Sequence, residues 1–241
     1  MNSSPKKALV TGATRGIGSS IGLILRRSGL QVIGTATTKE GVNNLKEKGI
    51  IGIQLDLNSE NSVENFLSNI GSDHQNISIL VNNAGITKDN LVIRMSDNEW
   101  MEVINIHLNC MFKITKKILK PMIKNKWGRI INITSAAASI GNKGQSNYAA
   151  AKSGVEAFSR TLANEVGTRG ITVNSIAPGY IDTDMIAFLN DQERETIKKR
   201  IPLLRFGKPE EIAELVSFLI SEEAEYITGQ TIHINGGLFM Q

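Results

Sequence analysis

Tyr148 and Lys152 stand four residues apart in the run Asn147-Tyr148-Ala149-Ala150-Ala151-Lys152. On a helix that spacing puts both side chains on one face, one turn apart. Thirteen residues before Tyr148, Ser135 closes the run Arg129-Ile130-Ile131-Asn132-Ile133-Thr134. A hydroxyl, a phenol and an ammonium brought together make a proton-transfer device. A free phenol titrates at about 10, too high to exchange a proton readily at neutral pH. A neighbouring ammonium favours the phenolate and is expected to draw that value toward the working range. The spacing alone arises easily by chance, and an isolated pair reads as a half-buried Tyr beside a solvated Lys. Its surroundings decide between the two.

A second chemical feature lies near the N-terminus. The strand-like segment Ala8-Leu9-Val10-Thr11 runs into Gly12-Ala13-Thr14-Arg15-Gly16-Ile17-Gly18. Glycines in a strand-to-helix turn let the backbone approach a pyrophosphate, and the helix N-terminus adds its N–H groups and dipole. The spacing is G-x-x-x-G-x-G rather than G-x-G-x-x-G. An NAD site typically carries an acid after its second strand to grip the ribose hydroxyls. Here that place reads Thr35-Ala36-Thr37-Thr38-Lys39, and Arg15 can supply a cation to an extra phosphate. The expected cofactor is NADP(H).

Strand and helix signals alternate along the chain that must position these groups. Short apolar runs at Ala8–Thr11, Gln31–Ala36, Ile50–Leu55, Ile77–Val81, Arg129–Ile133, Ile171–Ile176 and Gln230–Asn235 read as seven strands. They lack polar alternation, as strands covered on both faces do. Helical periodicity follows at Ile17–Ser28, in a polar stretch through Lys48, after the cap Ser59, over Asp97–Asn125 with a bend or break at Pro121, and over Ser146–Thr168. The expectation is a single α/β domain over residues 1–241, a Rossmann-like, doubly wound, parallel sheet with helices on both faces. Residues 179–209 are too long for a simple connection and are expected to form a substrate lid.

Composition narrows the class. The chain has 241 residues, 41% hydrophobic and 21% charged, with a net charge of +4, as expected of a soluble globular protein. Its basic residues are spread along the chain without a recognition motif, so no nucleic-acid partner is expected. Lys113, Lys116, Lys117, Lys120 and Lys124 recur at helical spacing, as a solvated face or as a docking strip for an acidic partner. No stretch reads as a signal peptide or membrane span. The single cysteine, Cys110, fits a reducing compartment, and three scattered histidines give no metal-ligand spacing. A cytoplasmic, metal-free protein is expected.

Taken together, the Thr11–Gly18 turn, Asn82-Asn83-Ala84-Gly85, Ser135, Tyr148-x-x-x-Lys152 and Pro178-Gly179 resemble the short-chain dehydrogenase/reductase family in order and spacing. Asn83–Leu91, Gly144–Tyr148, Tyr226–Gly229 and Asn235–Gly237 look like its bacterial β-ketoacyl-[acyl-carrier-protein] reductases of type II fatty-acid synthesis. The resemblance implies a homotetramer in which NADPH reduces a 3-oxoacyl group. Tyr148 would donate the proton, Ser135 would hold the oxygen, and Lys152 would bind the nicotinamide ribose. Gly12, Arg15, Gly16, Ile17, Gly18 and Thr37 would lie against phosphates and ribose, and Asp56 and Leu57 against adenine. Asn83, Ala84 and Gly85 would face the ribose, and Pro178, Gly179, Ile181 and Thr183 the nicotinamide.

The same resemblance implies a basic rim at Lys126 and Arg169 for an acidic acyl carrier protein, an acyl entrance at Ile186, Phe188 and Leu189, and interface helices at Asp97–Asn125 and Ser146–Thr168. One position departs from the family pattern. The fourth catalytic residue there, an Asn in the long helix, is His107 here, with Asn105 and Asn109 on other helix faces. Two other readings stay open: a reductase of another small ketone, and a catalytically silent NADP-binding protein.

Overall fold

The structure is a computed structural model that describes residues 6–74, 76–187 and 189–240. In chain order, its strands are β1 (Lys7–Val10), β2 (Gln31–Ala36), β3 (Ile51–Gln54), β4 (Ile77–Asn82), β5 (Gly128–Ile133), β6 (Ile171–Pro178) and β7 (Thr231–Ile234). All pair in parallel, in the order β3-β2-β1-β4-β5-β6-β7. The helices are α1 (Gly16–Arg27), α2 (Lys39–Glu47), α3 (Glu60–Asp73), α4 (Asp97–Ile104), α5 (Met111–Asn125), α6 (Ala137–Ile140), α7 (Ser146–Val166), α8 (Asp191–Lys198) and α9 (Pro209–Leu219). The expected doubly wound architecture is what the chain forms.

The sheet separates two apolar layers. Ile21 and Leu25 of α1 meet Ile212, Val216 and Leu219 of α9 on one face. Val63 and Phe66 of α3, Ile114 and Ile118 of α5, and Leu162 of α7 fill the other. Strand order reverses between β1 and β4. At such a switch point the loops leaving the carboxyl ends diverge and open a crevice. The loops after β1 and β4 are the glycine turn and Asn83-Ala84-Gly85.

A buried polar chain fixes α7 on this sheet. Asn82 Nδ2 donates to Asn132 Oδ1 at 2.8 Å, Asn132 Nδ2 to Ser159 at 2.8 Å, and Ser175 to Ser159 at 3.0 Å. Each of these groups would be costly to bury alone, so together they select one setting of the helix on the strands.

One helix differs from expectation. The 97–125 segment is interrupted by a π-helical turn at Asn105–Cys110, whereas α5 runs on through Pro121. His107 sits inside that turn and is buried, while Asn105 and Asn109 are exposed and bond each other. The sixth strand also extends past Ile176 to Pro178. Among the described residues no helix is long and apolar enough to cross a membrane, and no group of three or more His, Cys, Asp or Glu is placed to hold a metal ion.

Candidate active site

The glycine turn is shaped by what it cannot contain. Gly12 and Gly16 have φ of +66° and +52°, where an L side chain is strained. A Cβ on Gly18 would lie 2.1 Å from the Gly12 carbonyl oxygen. The turn is held from the neighbouring strand. The Asn83 and Ala84 N–H groups donate to Thr11 Oγ1, and Asn83 Nδ2 donates to the Thr11 and Gly12 carbonyls. The Asn83 amide thus spends its donors on the turn.

Arg15, the residue before α1, is extended and no side chain caps the helix. The first N–H groups of α1 are therefore free for an anion. Thr37, Thr38 and Lys39 stand at the end of β2 with no carboxylate among them. Thr35 is buried, its hydroxyl accepting from Gly12 N–H at 3.0 Å. Asp56 and Leu57 follow β3, where the Asp56 carboxylate accepts from Asn58 N–H. These residues fit a dinucleotide with a phosphorylated ribose.

On the other side of the crevice, Ser135 follows β5 and Tyr148 opens α7. Asn147, fully buried, pins that end of the helix: its Nδ2 donates to the Lys88 and Glu99 carbonyls, and its Oδ1 accepts Tyr148 N–H at 2.7 Å. Ser135 and the Tyr148 hydroxyl share a hydrogen bond, and Ser135 Oγ accepts from Ala137 N–H at 3.1 Å. Lys152 is 5% exposed. Its Nζ donates to the Ile133 carbonyl at 2.7 Å and lies 5.5 Å from the Tyr148 ring centroid. Serine, phenol and ammonium converge as expected.

Their electrostatics correct one expectation. Burial pushes the Tyr148 phenol up to about 12; Ser135 opposes that and Asp89 adds to it. Burial also takes Lys152 down to about 7, with Glu156 pulling the other way. Desolvation disfavours each charged form, and at this depth it outweighs the charge–charge attraction.

His107 joins the same cluster. Its ring stands edge-on to Tyr148, with centroids 5.3 Å apart. Nε2 lies 2.8 Å from the Ile86 carbonyl and 3.2 Å from the Ile86 N–H. Burial, and then Lys152, bring its pKa down to about 3. His107 is therefore a neutral imidazole at working pH.

The 179–209 segment closes over the turn. Gly179 N–H donates to the Ile234 carbonyl, and Ile181 pairs with Gly207. The Thr183 methyl lies 3.3 Å from where a Cβ on Gly16 would be, and Arg15 lies 3.8 Å from Asp184. Ile186 and Leu189 belong to this segment, half-buried; Phe188 lies outside the described residues. Lys126 and Arg169 are exposed neighbours, but they precede β5 and β6, whereas Ser135 follows β5. A six-residue strand separates the two ends, about 20 Å. Within one chain the two cations do not border the Ser135–Tyr148 site.

Asn147, Asn132 and Ser159 hold the site in place without being among the candidate site residues named above. The signal was present: a polar residue such as Asn132, set in an apolar strand, must find a buried partner.

Comparison with known proteins agrees. The sequence family described as enoyl-(acyl carrier protein) reductase matches residues 12–239. The 3-oxoacyl-[acyl-carrier-protein] reductase of Pseudomonas aeruginosa is 51% identical, with 98% of each chain covered. That of Salmonella typhimurium is 48% identical over 98% of each chain, and that of Escherichia coli 47% identical over 100% of each. With the switch-point crevice, the glycine turn and the Ser135–Tyr148–Lys152 cluster in place, this chain belongs to the short-chain dehydrogenase/reductase family.

Proposed function

We infer that the chain reduces 3-oxoacyl groups carried on acyl carrier protein, using NADPH, as a step of fatty-acid synthesis. Full-length identity of about half to reductases of that name carries the reading. The hydride for the ketone carbon would come from NADPH when it is bound. Tyr148 gives its proton to the oxygen that becomes negative, Ser135 hydrogen-bonds that oxygen, and Lys152 holds the nicotinamide ribose and offsets the charge left on Tyr148. The Ser135–Tyr148 hydrogen bond supports ketone reduction, because both hydroxyls can serve the oxygen that gains the charge. The matched family's description names an enoyl substrate, so the assay includes one. NADPH oxidation with acetoacetyl-carrier protein and none with the crotonyl form is the expected result; the reverse would overturn the reading.

The assembly is proposed as a homotetramer in the cytoplasm. Trp100, Met101 and Phe112 are exposed apolar residues on α4 and α5, and Phe112 meets Phe158 of α7 edge to face. Exposed apolar residues on these helices support a contact surface there. In such an assembly Lys126 and Arg169 would serve the site of a neighbouring subunit, as the rim that receives the acidic carrier. Residues 179–209 would act as the lid.

A further inference from the structure

Glu156 is a partly buried carboxyl that the reaction described above does not use. It lies four residues beyond Lys152 on α7, on the same helix face. Thr134 at the end of β5 shares a hydrogen bond with it. The Thr134 hydroxyl proton has a second claimant, the Ile176 carbonyl at 3.0 Å. The other Glu156 oxygen, Oε1, is shut off from solvent and has no partner among the described residues; the same is true of His233 Nδ1 on β7. The charged or titratable groups facing Glu156 are His233 from β7 and Arg160 and Lys152 from its own helix. Leaving a carboxylate oxygen unsatisfied is costly. That cost invites a functional reason.

Building on the reading above, we propose that Glu156 is a positioning residue of the reduction: its carboxylate, one helical turn from Lys152, keeps that amine in the ammonium form. Among charged groups, Glu156 is the one that raises Lys152 against its burial. The effect on Glu156 is reciprocal. Burial pushes its carboxyl up, and Thr134, His233, Arg160 and Lys152 pull it back. Lys152 is useful only when charged, for binding the ribose and for steadying the phenolate. Glu156 therefore sets the upper edge of the working pH range without touching substrate or cofactor.

The experiment compares wild type with Glu156→Gln, Glu156→Met and Glu156→Asp. Lys152 is followed by 15N NMR of its Nζ in the cofactor-free protein, and the pH profile of kcat/KM is measured at saturating NADPH. Loss of the charge is expected to move the Lys152 midpoint and the alkaline limb down together by about one pH unit, the lower end of the effect of a nearby opposite charge. The acid plateau should hold, and Glu156→Asp should restore most of the shift. The neutral variants should also melt no lower than wild type above pH 6, since a costly buried carboxylate is gone. An unchanged Lys152 midpoint in whichever neutral variant folds would overturn the proposal. If wild type reduces no ketoacyl thioester, the functional reading fails, and the NMR titration still decides the role of Glu156.

Discussion

His107 occupies the space that a side chain on Gly85 would need: a Cβ there would lie 2.2 Å from His107 Cε1. The loop after β4 and the π-helical turn are thus fitted to each other at one atom. Replacing Gly85 with Ala is expected to cost about 1–3 kcal/mol through overpacking. In a His107→Ala background the same change should cost less, a coupling of about 0.5–3 kcal/mol. Urea unfolding of the two single variants and the double variant measures it. Additive losses would show that the two residues do not compete for this space.

The neutral state of His107 has a signature in acid. Its folded pKa, about 3, lies below the unfolded value of about 6.5. The unfolded chain therefore binds the extra proton first. Stability tied to this group is complete above about pH 6.5 and falls by up to about 1.4 kcal/mol per pH unit as pH drops toward 3. His107→Asn should flatten that part of the stability–pH curve. Its rate profile between pH 6 and 9 should match wild type, because the imidazole does not titrate there. A rate profile that changes shape in that window would contradict the neutral assignment.

Tyr148→Phe removes the proposed proton donor and little else. The expected loss in kcat is about 10²–10⁴-fold, with NADPH affinity unchanged by fluorescence titration. A variant retaining more than about a tenth of the rate would move the proton source elsewhere.

Lys126→Glu with Arg169→Glu tests the rim. KM for a carrier-bound substrate is expected to rise several-fold and KM for a small thioester to stay constant. The difference should fade at about 0.5 M salt, where charge attraction between separated surfaces is screened. Equal effects on both substrates would assign the two residues to something other than carrier docking.

The seven strands were legible because buried parallel strands are short apolar runs bounded by turns, as in Ile77–Asn82 and Gly128–Ile133. The Ser135–Tyr148–Lys152 cluster was legible because helix spacing and strand polarity place those residues whatever the details of packing. Depth was not. Lys152 is 5% exposed, and burial pushes the Tyr148 phenol up where spacing alone suggests it is drawn down. The interruption at Asn105–Cys110 was invisible for a related reason. Periodicity over 97–125 is nearly continuous across it, and Pro121, the one obvious helix breaker, leaves α5 intact. The far-end position of Lys126 and Arg169 follows from strand direction, since both precede a strand and Ser135 ends one.

The π-helical turn also sets a phase. Each α-helical residue advances the chain by about 100° around the axis, so the wider turn makes α5 lag behind the angle α4 would have dictated. α4 packs on α7, and α5 packs on β4; the lag lets both be satisfied in one rod. A chain shortened by one residue at Leu108 would regain an unbroken α-helix and lose this offset. Either α4 would turn its buried Val103 out of place or α5 would turn Ile114 and Ile118 from the sheet. The turn is thus a gear between two packing surfaces, and its extra residue is the tooth that a deletion would strip.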